Sequence, residues 1–317
     1  MTTGMNPTAA AKTTSWQNRA HIASTRLLGS ILGHGDWPIN IIVKRAGRAR
    51  RRPRSPVDAP PAKRAVRGLT VTRTEHSNWP IWTLQNPEPS PLRVILYFHG
   101  GGYVGQANTM QYTWCANIAR NTGATVVVPI YPLAPIGTAA TVVPVAADLI
   151  DSLLATHGPE TLTVTGDSAG GGLALAAVQE LVRHGRPTPA QLVLISPWLD
   201  VTVSDPASTG THIPAAGVKL LRAGGRLWAG DAEPDNPQVS PLFGSMAGLP
   251  PITVFGSTFD VLHPDTVRLQ QRALAEGVTV DTVIEDGLIH VWPLYAHLPE
   301  AQRVQPLLHN ALTGLLR

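Results

Sequence analysis

The 317-residue sequence predicts an α/β protein built on a mostly parallel, eight-stranded sheet flanked by helices. Three observations carry that expectation. Eight short runs have the composition or alternation of strands. From residue 93 onward they are separated by stretches in which apolar residues recur at helical spacing. One run, Thr163-Val164-Thr165-Gly166-Asp167-Ser168-Ala169-Gly170, breaks at a glycine-flanked serine and continues as an alanine- and leucine-rich helix.

Residues 1 to about 14 are small and polar. Ser15 to Leu32 has apolar residues at helical spacing (Trp16, Ala20, Ala23, Leu27, Leu28, Ile31), and Trp37 to Val43 is a second apolar piece. Leu69 to Thr74 and Ile81 to Gln85 alternate like strands around a His76-Ser77-Asn78 turn. Arg93 to Phe98 is an uninterrupted apolar strand, buried on both faces. Further strands are expected at 125–130, 162–165, 192–195, 252–255 and 278–284, with helices near 112–120, 139–155, 169–183, 266–275 and 303–316. The longest gap between strands contains a helical piece near 215–228 and is expected to cover the carboxyl ends of the strands. Residues 1–68 are therefore expected to form an N-terminal cap segment and basic linker, and 69–317 the sheet domain, with a cap insertion at about 201–235.

At 43% hydrophobic and 15% charged residues, the chain can bury a full core. No uninterrupted apolar run reaches the roughly 18 residues a spanning helix requires, and the amino end lacks the pattern of a secretory signal. One cysteine, Cys115, excludes an intrachain disulfide and fits a reducing, cytoplasmic setting. The net charge of +4 is uneven: residues 1–68 hold 13 Lys/Arg against 2 Asp/Glu, and residues 69–317 hold 12 against 19. The basic, proline-rich tract at 44–67 has no interleaved aromatics. It is expected to be a solvated connector with weak affinity for anionic surfaces rather than a nucleic-acid site.

Ser168 is the candidate nucleophile. A strand that turns into a helix over so few residues strains the serine backbone, and only neighbours as small as Gly166 and Gly170 fit around it. Helix onset at Ala169 aims a free N–H at whatever the serine attacks. His99-Gly100-Gly101-Gly102-Tyr103 follows the apolar strand directly, and the N–H groups of Gly101 and Gly102 are expected to complete an oxyanion site. His99 is expected to hold the glycine loop. Asp260, just past the 252–255 strand, is preferred as the acid over Asp265, which a helix-capping role would explain. His290, after the last strand, is the candidate base.

HGGGY at 99–103, YPLAP at 131–135, GDSAGG at 166–171, ISPWLD at 195–200, SPLFG at 240–244, LPPITVFGSTFDVLHPD at 249–265 and GLIHVW at 287–292 together resemble the bacterial hormone-sensitive-lipase-like esterases of the α/β-hydrolase fold. The order is the family's; Ile136 stands where the family usually has Glu. The resemblance implies a triad of Ser168, Asp260 and His290, oxyanion donors Gly101, Gly102 and Ala169, and supporting roles for His99, Gly100 and Asp167. It also implies a cap over the site, no metal or organic cofactor, a short- to medium-chain ester substrate and a homodimer. Amide or formamide hydrolysis, or ligand reception without chemistry, are the alternatives the same fold allows. The N-terminal cap is expected to govern substrate entry rather than chemistry.

Overall fold

A computed structural model describes residues 14–32, 58–87, 93–208 and 215–314. Its eight strands are β1 (Thr70–His76), β2 (Trp79–Gln85), β3 (Val94–Phe98), β4 (Thr125–Pro129), β5 (Leu162–Asp167), β6 (Gln191–Ile195), β7 (Ile252–Ser257) and β8 (Val280–Glu285). They form one sheet in the order β1-β2-β4-β3-β5-β6-β7-β8. Only β2 runs against its neighbours β1 and β4, and every other pairing is parallel. Ser77 and Asn78 take positive φ in the tight β1–β2 hairpin, as a two-residue turn between twisted strands requires.

The helices are α1 (Trp16–Leu32), α2 (Thr109–Thr122), α3 (Ala139–His157), α4 (Ala169–Arg183), α5 (Ala215–Ala229), α6 (His263–Ala275) and α7 (Pro299–Thr313). Apolar side chains of α3, α4, α5 and α6 pack on one face of the sheet, and those of α2 and α7 on the other. Covering both faces buries every residue of β3, β5, β6 and β7, which is why β3 and β6 read as apolar runs; β5 buries Thr163 and Thr165 on the face opposite Leu162 and Val164. Among the described residues α3 alone is long and apolar enough to cross a membrane by length and composition. A reading by uninterrupted runs misses it because Asp148 and Asp151 break the run. Its Val142, Val143, Ala146 and Ile150 are buried against the sheet and α4.

Periodicity mispredicts the inward face of α1. Thr14, Asn18 and Ile22 are buried at intervals of four, while Trp16 is 68% exposed and Ala20 and Ala23 face solvent. The side chains of Leu27, Leu28 and Ile31, the Trp37–Val43 piece and residues 44–57 of the basic tract lie outside the described residues. The rest of that tract lies along α2: Tyr112 Oη donates to Ala59 O at 2.5 Å, and Arg120 Nη2 donates to the carbonyls of Ala65 and Arg67 at 2.9 and 2.8 Å. α5 falls within the expected insertion, and its Trp228 stacks on Tyr103 at 4.0 Å between ring centroids.

Candidate active site

Parallel register brings the ends of β3, β5, β6, β7 and β8 to one edge, with Phe98 opposite Gly166, Asp167 opposite Ile195 and Ser257 opposite Glu285. Ser168 is the hinge between β5 and α4, at φ 53° and ψ −121°, a conformation L-residues rarely hold. Its backbone is pinned on both sides. Ser168 N donates to Ile195 O at 2.9 Å, and its carbonyl accepts from Trp198 N at 2.9 Å and Gly172 N at 3.2 Å. A Cβ on Gly170 would collide with the carbonyl of Phe98, so α4 can lie this close to β3 only with glycine there. As the first residue of α4, Ala169 has no earlier helical turn to take its N–H.

Beside the elbow, the glycine loop is held from beneath by Asp167. This carboxylate is 3% exposed and accepts from Gly100 N at 2.8 Å, from Tyr97 Oη, and from Gln111 Nε2 at 3.2 Å. Burial raises its pKa, and those three donors oppose the rise. Gly101 turns at φ 125°, where a Cβ would strike Gly105 O, and its own carbonyl accepts from Val104 N and Gly105 N. His99 is fully buried, and burial lowers its pKa to about 4. Its Nδ1 meets Gly100 O at 2.8 Å, and a carbonyl only accepts, so Nδ1 carries the proton of a neutral ring. Tyr131 stacks on that ring at 4.3 Å and donates to His99 O at 2.6 Å. His99 thus braces the loop.

Asp260, in the turn after β7, is 1% exposed and places both carboxylate oxygens 2.9 and 3.0 Å from His290 Nδ1. Burial pulls the His290 pKa down, but the Asp260 charge and hydrogen bond, with a contribution from Asp167, outweigh it and raise the value. Asp260 fixes the proton on Nδ1 and leaves Nε2 as the basic atom. The His290 loop is tied to the serine elbow through the residues after β6. Ser196 Oγ accepts from Val291 N at 3.1 Å, and the carbonyl of the preceding Ile195 accepts from Ser168 N.

Asp265 does not cap a helix. It is 2% exposed, accepts from Leu199 N and Asp200 N at 2.9 Å each, and pairs with Arg268 at 2.6 Å, bracing the loop after β6. The sequence does not single out Gln111, Ser196 or Asn18 for the bonds they make here. Tyr97 carried a usable signal, because a tyrosine hydroxyl in a strand buried on both faces needs a partner. Asn18 is fully buried; its Nδ2 donates to Gly287 O at 2.9 Å and its Oδ1 accepts from Ile289 N at 3.3 Å.

Residues 95–294 match the family model described as the alpha/beta hydrolase fold. The chain belongs to that family. A triacylglycerol lipase of Mycobacterium tuberculosis is 38% identical over 74% of this chain, which spans 50% of that protein's length. An acetyl-hydrolase of Streptomyces hygroscopicus is 35% identical over 67% of this chain and 72% of its own length. Among solved structures, a hormone-sensitive lipase from a metagenome library superposes with a TM-score of 0.77 at 25% identity, covering 95% of this chain and 99% of that one. These likenesses place this alpha/beta hydrolase among the hormone-sensitive-lipase-like esterases and support carboxylic ester hydrolysis as its chemistry.

Proposed function

We propose that the protein hydrolyses short- to medium-chain carboxylic esters through Ser168, His290 and Asp260. The observation that carries this reading is the Asp260–His290 pair, on a loop bonded through Ser196 to the strained Ser168 elbow. His290 Nε2 takes the proton of Ser168 Oγ as that oxygen attacks the ester carbonyl. The oxyanion is held by the N–H groups of Gly101, Gly102 and Ala169. Collapse expels the alcohol, protonated by His290, and leaves an acyl-enzyme. His290 then deprotonates a water that attacks the acyl carbon, and the acid leaves as Ser168 Oγ recovers its proton. Loss of one oxyanion donor from such a site costs about 100-fold or more in rate.

Ser168→Ala tests the assignment. It is expected to abolish turnover of aryl esters with an unchanged unfolding midpoint, and a serine-reactive organophosphate is expected to label Ser168 alone. Near-normal turnover, or labelling at Ser196 or Ser240 instead, would overturn it. A panel of aryl esters of graded acyl length, beside matched amides, reads the substrate range.

The same reading includes a cytoplasmic location, supported by a single cysteine that is fully buried, and a homodimer, which light scattering checks. It also includes weak contact between the basic tract and anionic surfaces, checked by vesicle binding.

A further inference from the structure

The loop that delivers His290 is held by side chains from elsewhere in the chain. Thr258 Oγ1 accepts from Gly287 N at 3.3 Å, Ser257 Oγ from Leu288 N at 2.8 Å and Ser196 Oγ from Val291 N at 3.1 Å; all three residues sit at strand ends of the sheet. Asn18 is different. It comes from α1, outside the sheet domain, yet it holds the loop at two points, the carbonyl of Gly287 and the N–H of Ile289.

That pair of bonds has a specific geometry. In a parallel sheet, one residue donates through its N–H to the carbonyl of residue i−1 and accepts at its C=O from the N–H of residue i+1 on its neighbour. The Asn18 amide, whose syn N–H and C=O point the same way, makes the same two bonds around Leu288, so it stands in for one strand residue beyond the end of β8. The amide orientation is unambiguous, because a carbonyl only accepts and an N–H only donates. Asn18 is itself fixed. Nδ2 also donates to Thr14 Oγ1 at 3.0 Å, and its backbone N–H donates to Ser15 Oγ at 3.3 Å. Ser15 in turn bonds Glu300 through N at 2.7 Å and Oγ at 2.9 Å, and His21 packs edge-on against Tyr295 at 5.1 Å.

We infer that Asn18 is a positioning residue for His290: docking of α1 sets the loop from Gly287 to Ile289 and thereby aims the imidazole. The inference rests on the reading of His290 as the base. The anchored atoms lie three residues and one residue before His290, and Val291 immediately after it is held by Ser196 at φ 51°, a left-handed value unusual for a β-branched side chain. With both flanks fixed, displacement of residues 287–289 has to be taken up at His290. Asn18 does not touch the reacting atoms.

The test uses the full chain and an aryl ester, with kcat, KM and unfolding midpoint measured for Asn18→Ala, Asn18→Asp, Ser15→Ala and His290→Ala. The low-field proton resonance of the His290 Nδ1–H is followed alongside, identified by its absence from His290→Ala. Asn18→Asp keeps the shape but sets a carboxylate oxygen against Gly287 O, so it separates the hydrogen bond from packing. Both Asn18 variants are expected to lose about 10- to 100-fold in kcat, part of what a well-placed base supplies, with KM within about threefold of normal. The low-field resonance is expected to broaden or vanish in both. Ser15→Ala loosens the same helix but leaves the Asn18 amide in place; it is expected to lower the unfolding midpoint while costing less in kcat than Asn18→Asp.

Normal kcat in Asn18→Asp, or a kcat that merely tracks the unfolding midpoint across Asn18→Ala and Ser15→Ala, overturns the inference. Should Asn18→Ala fail to fold, Asn18→Asp decides by the same two readouts. His290→Ala separates the two failures. If it is inactive while the Asn18 variants are normal, only the positioning role falls; if it is active, the base assignment falls.

Discussion

His290 keeps 22% of its side chain exposed while Asp260 keeps 1%, so the base reaches outward from a carboxylate that water does not screen. The raised pKa has a kinetic sign. Protonated His290 cannot accept the serine proton, so kcat/KM is expected to rise with pH through a value above the ordinary histidine pKa of about 6.5. Asp260→Asn removes the charge that raises it and should move that limb downward; an unmoved limb would mean another group titrates. The two carboxylates separate by function. Asp260→Asn is expected to lose about 10⁴-fold in kcat. Asp265→Asn should stay within about tenfold and shift the unfolding midpoint instead, because it touches Leu199, Asp200 and Arg268 rather than His290. The reverse ranking in kcat would show that the acid is Asp265. Distance along the chain decides what could be anticipated at this scale. Ser168 and the glycine loop announce themselves in consecutive residues, whereas the backbone N–H groups that Asp265 accepts from lie 66 and 65 residues away and the loop atoms that Asn18 holds lie 269 and 271 away.

At the scale of elements, strands buried on both faces are the easiest to find where the run is apolar, as in β3 and at 192–195 of β6, whereas β5 alternates Leu162-Thr163-Val164-Thr165 although both its faces are buried. Their carboxyl ends are harder. β5 continues through Gly166 to Asp167 and β7 through Gly256 to Ser257, where glycine and polar residues suggest a loop but a parallel neighbour continues the ladder, β6 beside Asp167 and β8 beside Gly256 and Ser257. Helix α1 misleads for another reason. Periodicity sorts residues by hydropathy, but its inner face is chosen by hydrogen bonding, so Asn18 goes in and Trp16 stays out. The tightest junction is α4 against β3 at Gly170. Gly170→Ala sets a methyl against the Phe98 carbonyl, which cannot yield without parting strand from helix. Overpacking of this kind costs about 1–3 kcal/mol where side chains can move, and here backbone must, so a loss of at least about 3 kcal/mol is expected in urea unfolding. A stability within 1 kcal/mol of the parent, a bound of roughly the error in such comparisons, would contradict the close approach.

Over the whole molecule, positive charge is concentrated at the amino end, and two pictures of that end differ in what its removal does. Loss of residues 1–32 takes away Asn18, so kcat on a small aryl ester is expected to fall along with any change in acyl-length preference. Unchanged kcat and KM would leave residues 1–32 no part in the site; loss of binding to anionic vesicles at low salt when the basic residues at 44–67 are replaced would make that tract an electrostatic anchor. The Ser15–Glu300 and Asn18–Gly287 bonds also impose an order on biosynthesis. Residues 15–18 leave the ribosome long before the loop they hold: with Gly287 269 positions after Asn18, and translation at about 5–20 residues per second, the delay is roughly 13–54 s. A helix of 17 residues is marginal alone in water, so during that interval the nascent amino end has neither its partner nor much structure of its own. Stalled chains that end before residue 287 should be cut by protease within residues 16–32, and the same sites should close once synthesis runs past Glu300.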